Sequence, residues 1–145
     1  MTRPKVLFLC TANSARSQMA EGLLRKLAGD RFEAYSAGTA PTALHPLAVR
    51  AMAEVGVDLA GHYAKSVTEF LGRMNPAYVI FVCETARRTC PTTFPAVGAT
   101  ELAWPVDDPA EAKGDEEARL LAFRKVRDEL TARIEAWLRT PEVGN

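Results

Sequence analysis

Residues 5–29 read KVLFLCTANSARSQMAEGLLRKLAG, and this stretch decides the fold. Its first five residues, KVLFL, form a short apolar run of strand formers bounded by Pro4 and a polar loop. That is the pattern of a strand buried on both faces, and hence central in its sheet. The loop runs from Cys10 to Arg16. Beyond it Ala20, Leu23, Leu24 and Leu27 fall at i, i+3, i+4 and i+7, so one face of a helix is apolar, and Gly29 stands where that helix should stop.

Strand and helix patterns alternate through the rest of the chain. FEAYS at 32–36 alternates and stops at Ala37-Gly38, a second strand. Pro46 suits the first turn of a helix whose stripe is Ala48, Ala51, Met52 and Val55 and which Gly56 closes. A shorter helix is expected over 67–71. YVIFV at 78–82 reads as another fully buried strand ending at Cys83, and TELAW at 100–104 as a fourth. Leu120, Phe123, Val126, Leu130, Ile134 and Trp137 then recur three or four apart among charged residues, a long amphipathic helix that docks on the sheet.

Such alternation implies an α/β fold with right-handed crossovers, a parallel sheet and helices on both of its faces. The 145 residues suffice for one core, so 1–140 are expected as a single catalytic domain and 141–145 as a frayed tail. Ligands bind such sheets at the carboxyl ends of the strands, where Cys10, Cys83 and the loop after Trp104 can meet.

Acidic and basic residues balance at 18 each, and no basic run or aromatic-interleaved cationic stripe is present, which argues against nucleic acid as a partner. The opening MTRPKVLFLC is too short in apolar residues for a signal core or a spanning helix, so no membrane association and a cytoplasmic location are expected. In that compartment the three cysteines, Cys10, Cys83 and Cys90, read as free thiols. No C-x₂₋₄-C pair exists, and His45 and His62 have no partnered pattern, so no metal is expected and both histidines read as surface or capping residues.

The loop itself has a chemistry. Backbone N–H groups from Thr11 to Ala15, feeding a helix N-terminus, make an anion nest. Arg16 adds a planar fork that holds two oxygens of a tetrahedral oxyanion. An ordinary thiol is only about 3% thiolate at pH 7, and such a nest should lower the pKa of Cys10. Taken alone, Cys10 reads better as a small buried hydrophobe at a strand end, and its surroundings reverse that.

A cysteine, five residues, then Arg-Ser between a buried strand and an amphipathic helix resembles the phosphate loop of the low-molecular-weight protein tyrosine phosphatases and of the arsenate reductases that share their fold. SQMAEG after the arginine, YSAGT at 35–39 and WPVDDPA at 104–110 follow in order, so the resemblance covers most of the chain. It implies a four-stranded parallel sheet with flanking helices. It also implies an oxyanion site built from Thr11, Ala12, Asn13, Ser14, Ala15, Arg16 and Ser17. Cys10 would be the nucleophile, Arg16 its oxyanion grip, Ser17 a support for the thiolate, and Asp107 the general acid, a contribution of roughly 10²- to 10⁴-fold. Asp108 would have a supporting role. Two departures stand out. Ala12 replaces a common glycine, and Lys65 lies at or near an acidic position associated with a potassium site, so that ion is not expected and no cofactor is implied.

The loop does not separate phosphatase from reductase. CETARRTC, from Cys83 to Cys90, is of no use to a phosphatase, whereas reducing an oxyanion takes two electrons that a dithiol yields on becoming a disulfide. AEAKGD follows the Asp-Pro, where the phosphatases place aromatic residues. By resemblance to the reductases, Cys10 forms an adduct with arsenate, Cys83 attacks Cys10 to release arsenite, and Cys90 attacks Cys83 to leave a disulfide for thioredoxin. Arsenate, thioredoxin and a monomeric state are the expectations. A phosphatase and a non-enzymatic oxyanion or redox sensor are the alternatives. If 83–90 were helical, seven residues at about 1.5 Å each would hold the two Cα atoms roughly 10 Å apart, against less than about 7 Å in a disulfide, so oxidation should rearrange the segment.

Overall fold

The computed structural model describes residues 3–13, 15–59, 61–69, 75–83 and 99–140. Strand β1, Lys5–Cys10, is central: it pairs in parallel with β2, Glu33–Gly38, on one side and with β3, Tyr78–Phe81, on the other. Strand β4, Thr100–Ala103, pairs with β3, and the order β2-β1-β3-β4 is parallel throughout. Val6, Leu7, Phe8 and Leu9 are fully buried, so both faces of β1 are covered, as the unbroken apolar run requires.

The chain runs outward from β1 to β2, then returns past β1 to β3. Its direction of travel therefore reverses between β1 and β3, and a crevice opens at their carboxyl ends. Leu9 lies opposite Phe81, so Cys10 and Cys83 leave the same edge of adjacent strands.

Three helices, α1 (Arg16–Ala28), α2 (Pro46–Ala53) and α3 (Glu116–Leu138), touch one another. All six apolar residues of the α3 stripe are buried. Its last, Trp137, sets its ring 5.3 Å from Phe32, 5.1 Å from Tyr78 and 5.9 Å from Trp104, which fixes the helix end to the sheet. Among the described residues, no helix is long and apolar enough to cross a membrane.

The structure departs from the sequence pattern in several places. Leu27 is 37% exposed: the apolar stripe of α1 runs through Ala20, Leu23, Leu24 and Ala28, and Leu27 lies on its rim. Gly29 keeps a right-handed φ of −65°, and the helix closes by sending the Arg31 and Phe32 N–H groups to the Ala28 carbonyl. Gly56, at φ +80°, supplies the left-handed stop after α2. Strand β3 ends at Phe81, although Val82 N–H still donates to Leu9. The expected helix over 67–71 begins as a single 3₁₀ turn, Val67–Glu69, and its remainder falls outside the described residues.

Helices α2 and α3 are joined by charge. Glu54 accepts from Arg124 at 2.7 and 2.9 Å and from Arg127 at 2.9 Å, and Arg127, itself buried, also donates to the Ala51 carbonyl. These hydrogen bonds pull the Glu54 carboxyl from 4.5 down to about 2. A depressed native pKa stabilises above the unfolded value and loses that contribution as pH falls through the folded value. Melting temperature should therefore fall between about pH 4.5 and 2 more steeply in the native sequence than in Glu54→Gln. Parallel acid limbs would disprove the assignment.

Candidate active site

Cys10, Thr11, Ala12, Ala15, Arg16, Cys83, Asp107 and Asp108 line one cleft of about 570 Å³ at the carboxyl ends of β1 and β3. Two further expected site residues, Asn13 and Ser17, are fully buried. Ser14 and Cys90, also expected at the site, lie outside the described residues.

The loop is shaped by its neighbours. Thr39, Ala40 and Thr42 donate backbone N–H groups to the carbonyls of Cys10, Thr11 and Ala12 at 3.2, 2.8 and 3.0 Å. Asn13 adopts a left-handed φ of +50°, a conformation that asparagine tolerates better than most residues. Ala12 does not need positive φ, so its replacement of glycine costs the loop nothing in backbone freedom. Gly38, opposite Cys10, admits the loop: a Cβ there would lie 2.5 Å from the Thr11 carbonyl oxygen.

Around the Cys10 sulfur stand the Ser17 hydroxyl at 2.9 Å and the Asn13 N–H at 3.1 Å, with the Ser17 N–H and the Arg16 guanidinium also acting on it. Helix α1 begins at Arg16 without a side-chain cap, so its first-turn N–H groups and dipole face the cleft. Burial pushes the Cys10 thiol above its ordinary range, against the lowering by Ser17, Arg16 and Asn13. The net direction is opposite to the sequence expectation, because a nest on a fully buried strand end also removes water.

Cys10 and Cys83 are both thiols, and the Thr11 hydroxyl reaches the Cys83 sulfur at 3.4 Å. Arg16 donates to the Val106 carbonyl at 3.1 Å and lies 3.8 Å from Asp108. Asp108 is held further by accepting from Ala110 N–H at 3.0 Å, ahead of the 3₁₀ turn Pro109–Glu111. Asp107 is exposed on the cleft wall with no hydrogen-bond partner among the described residues. Asp108 is thus tied to the arginine and to the turn, while Asp107 lines the cleft untied.

A buried polar cluster behind the loop escaped the sequence reading. Glu21 accepts from Ser36 and, at 2.9 Å, from Arg25, with His62 at 3.7 Å and Lys65 at 4.0 Å. Burial holds the Lys65 ammonium below its ordinary range. Gln18 joins Asn13, Tyr63 and His62. His62 is therefore neither a surface nor a capping residue, whereas His45 does cap α2, accepting from Leu47 N–H at 3.1 Å. The available signal was Ser17, Gln18 and Glu21 at i, i+1 and i+4, a polar patch beside the apolar stripe of α1.

The family model described as low molecular weight phosphotyrosine protein phosphatase matches residues 5–143. The chain belongs to that family. Within it, the chain is 42% identical over 143 residues to an arsenate reductase of Shouchella clausii, covering 98% of this chain and all of that one. A thioredoxin-dependent arsenate reductase of Corynebacterium glutamicum superimposes with a TM-score of 0.75 at 28% identity, over 99% of this chain and 64% of that one. A low molecular weight protein tyrosine phosphatase from T. tengcongensis gives 0.76 at 27%, over 93% and 97%. Members of the low molecular weight phosphatase family with either kind of name thus share this fold, and shape does not choose between them.

Proposed function

We propose that this chain reduces arsenate to arsenite and is recycled by thioredoxin. The observation that carries the reading is the second thiol, Cys83, in the same cleft as Cys10 with the Thr11 hydroxyl against its sulfur. Relatives named arsenate reductase at about 40% identity over nearly the whole chain support it.

In this reading the loop N–H groups and Arg16 hold three arsenate oxygens while the Cys10 thiolate attacks arsenic. Asp107 protonates the departing oxygen, which leaves as water. Cys83 thiolate then attacks the Cys10 sulfur. A Cys10–Cys83 disulfide forms, the sulfur–arsenic bonding pair stays on arsenic, and As(V) departs as As(III). Cys90 next attacks Cys83, freeing Cys10 and leaving a Cys83–Cys90 disulfide. Thioredoxin reduces that disulfide, supplying two electrons per turnover. The Lys65 ammonium neutralises Glu21 behind the loop, doing the work of a bound cation. One chain supplies the whole described cleft, in keeping with a monomer, and three working thiols suit a reducing cytoplasm.

The test is NADPH consumption with thioredoxin and thioredoxin reductase. The rate should depend on arsenate, with one arsenite formed per NADPH. A rate unchanged on omitting arsenate sinks the proposal.

A further inference from the structure

Gln18 does not line the cleft, is fully buried, and has no part in the relay above. We propose that Gln18 is a positioning residue for Cys10, fixing the direction of the hydrogen bonds between the 62–65 segment and the sulfur so that the Ser17 hydroxyl must donate to Cys10.

The directions follow from groups that have no choice. The Lys65 backbone N–H can only donate, and it meets Asn13 Oδ1 at 2.8 Å. The Tyr63 carbonyl can only accept, and it lies 2.6 Å from one end of the Gln18 amide. That end is therefore the NH₂ group, and its second proton serves Asn13 Oδ1 at 3.1 Å. With its oxygen held by two donors, Asn13 must turn Nδ2 to Ser17 Oγ, 2.6 Å away. The serine oxygen then accepts from Asn13, and its single proton goes to its other partner, the Cys10 sulfur at 2.9 Å.

A flipped Asn13 amide would reverse the last two bonds. Its oxygen would take the Ser17 proton, and the sulfur would lose a donor that favours the thiolate. Gln18 and Lys65 N–H oppose that flip together, and only Gln18 does so with a side chain. At its far end Gln18 Oε1 lies 3.2 Å from His62 Nδ1, so that nitrogen must carry a proton.

The proposal rests on Cys10 being the nucleophile, but its test reads the thiol and not arsenate turnover, so the two fail separately. Gln18→Met keeps size and leaves every charge near Cys10 unchanged: Arg16, Asp107, Asp108 and Cys83 on the cleft side, and Glu21, His62 and Lys65 behind. Iodoacetamide labelling of Cys10, followed by peptide mass spectrometry across pH, should give a midpoint about one unit higher in the variant, a tenfold loss of thiolate at neutral pH. A wild-type midpoint in a variant that melts as a folded protein overturns the proposal. A second measurement needs no variant. Long-range proton–nitrogen correlation should find a proton on His62 Nδ1, and an Nδ1 without one would overturn the proposed directions.

Discussion

Cys10→Ser is expected to bring arsenate-dependent NADPH consumption down to background while oxyanion binding survives. Serine preserves the shape of the loop, the uncapped start of α1 and the Arg16 fork, so phosphate should still raise the melting temperature. It removes the atom that must become an anion, and an alcohol at neutral pH does so far less readily than a thiol. Cys83→Ser should stop turnover as well, but for another reason. The adduct on Cys10 would form and then wait, since no second sulfur in the cleft attacks it. Mass spectrometry of the Cys83→Ser protein after arsenate treatment should show that adduct, and Cys10→Ser should not. Wild-type turnover in Cys83→Ser would mean that another thiol resolves the Cys10 adduct, and would remove Cys83 from the relay.

Gly38→Ala should lose activity out of proportion to its size. The added methyl would stand 2.5 Å from the Thr11 carbonyl oxygen and 2.9 Å from the Asn13 nitrogen, and both are backbone atoms of the loop that holds Cys10. The loop must retreat, and a displacement approaching 1 Å in an aligned site costs roughly 10²-fold in rate. Overpacking of this kind also removes about 1–3 kcal/mol of stability. Gly56→Ala is the control. Its Cβ meets nothing closer than 3.9 Å, but φ is +80°, so it should destabilise by about 1–2 kcal/mol from backbone strain alone and leave kcat/KM unchanged. Equal kcat/KM in Gly38→Ala and the native sequence would show that the neighbouring strand does not brace the loop.

Much of the fold was legible because burial imposes periodicity. KVLFL announced a central strand, and six residues spaced along 120–137 announced α3, since each pattern has one geometric solution. The cleft residues Cys10, Arg16 and Cys83 were legible because they end a strand, open a helix and follow a strand, whereas Asp107 was singled out only through the family resemblance. What escaped depends on contacts between distant segments. Gln18, Glu21 and His62 are polar, so no apolar periodicity marks them, and only the approach of 62–65 to α1 encloses them. The left-handed Asn13 was hidden for the same reason: its neighbours are Gly38, against its backbone nitrogen, and Lys65, whose N–H meets its side-chain oxygen, 25 and 52 positions away. The upward push on the Cys10 thiol was missed because the donors of a nest can be counted in a sequence and the water it excludes cannot.

The three carbonyls of Cys10, Thr11 and Ala12 are all occupied by N–H groups of the segment that continues β2. At these three positions the loop turns its acceptors to its neighbours and away from a ligand, which disfavours a cation. Charge selectivity is in this sense borrowed from residues 39–42, which do not line the cleft. A heptapeptide cut out with its cysteine and arginine intact would not keep it.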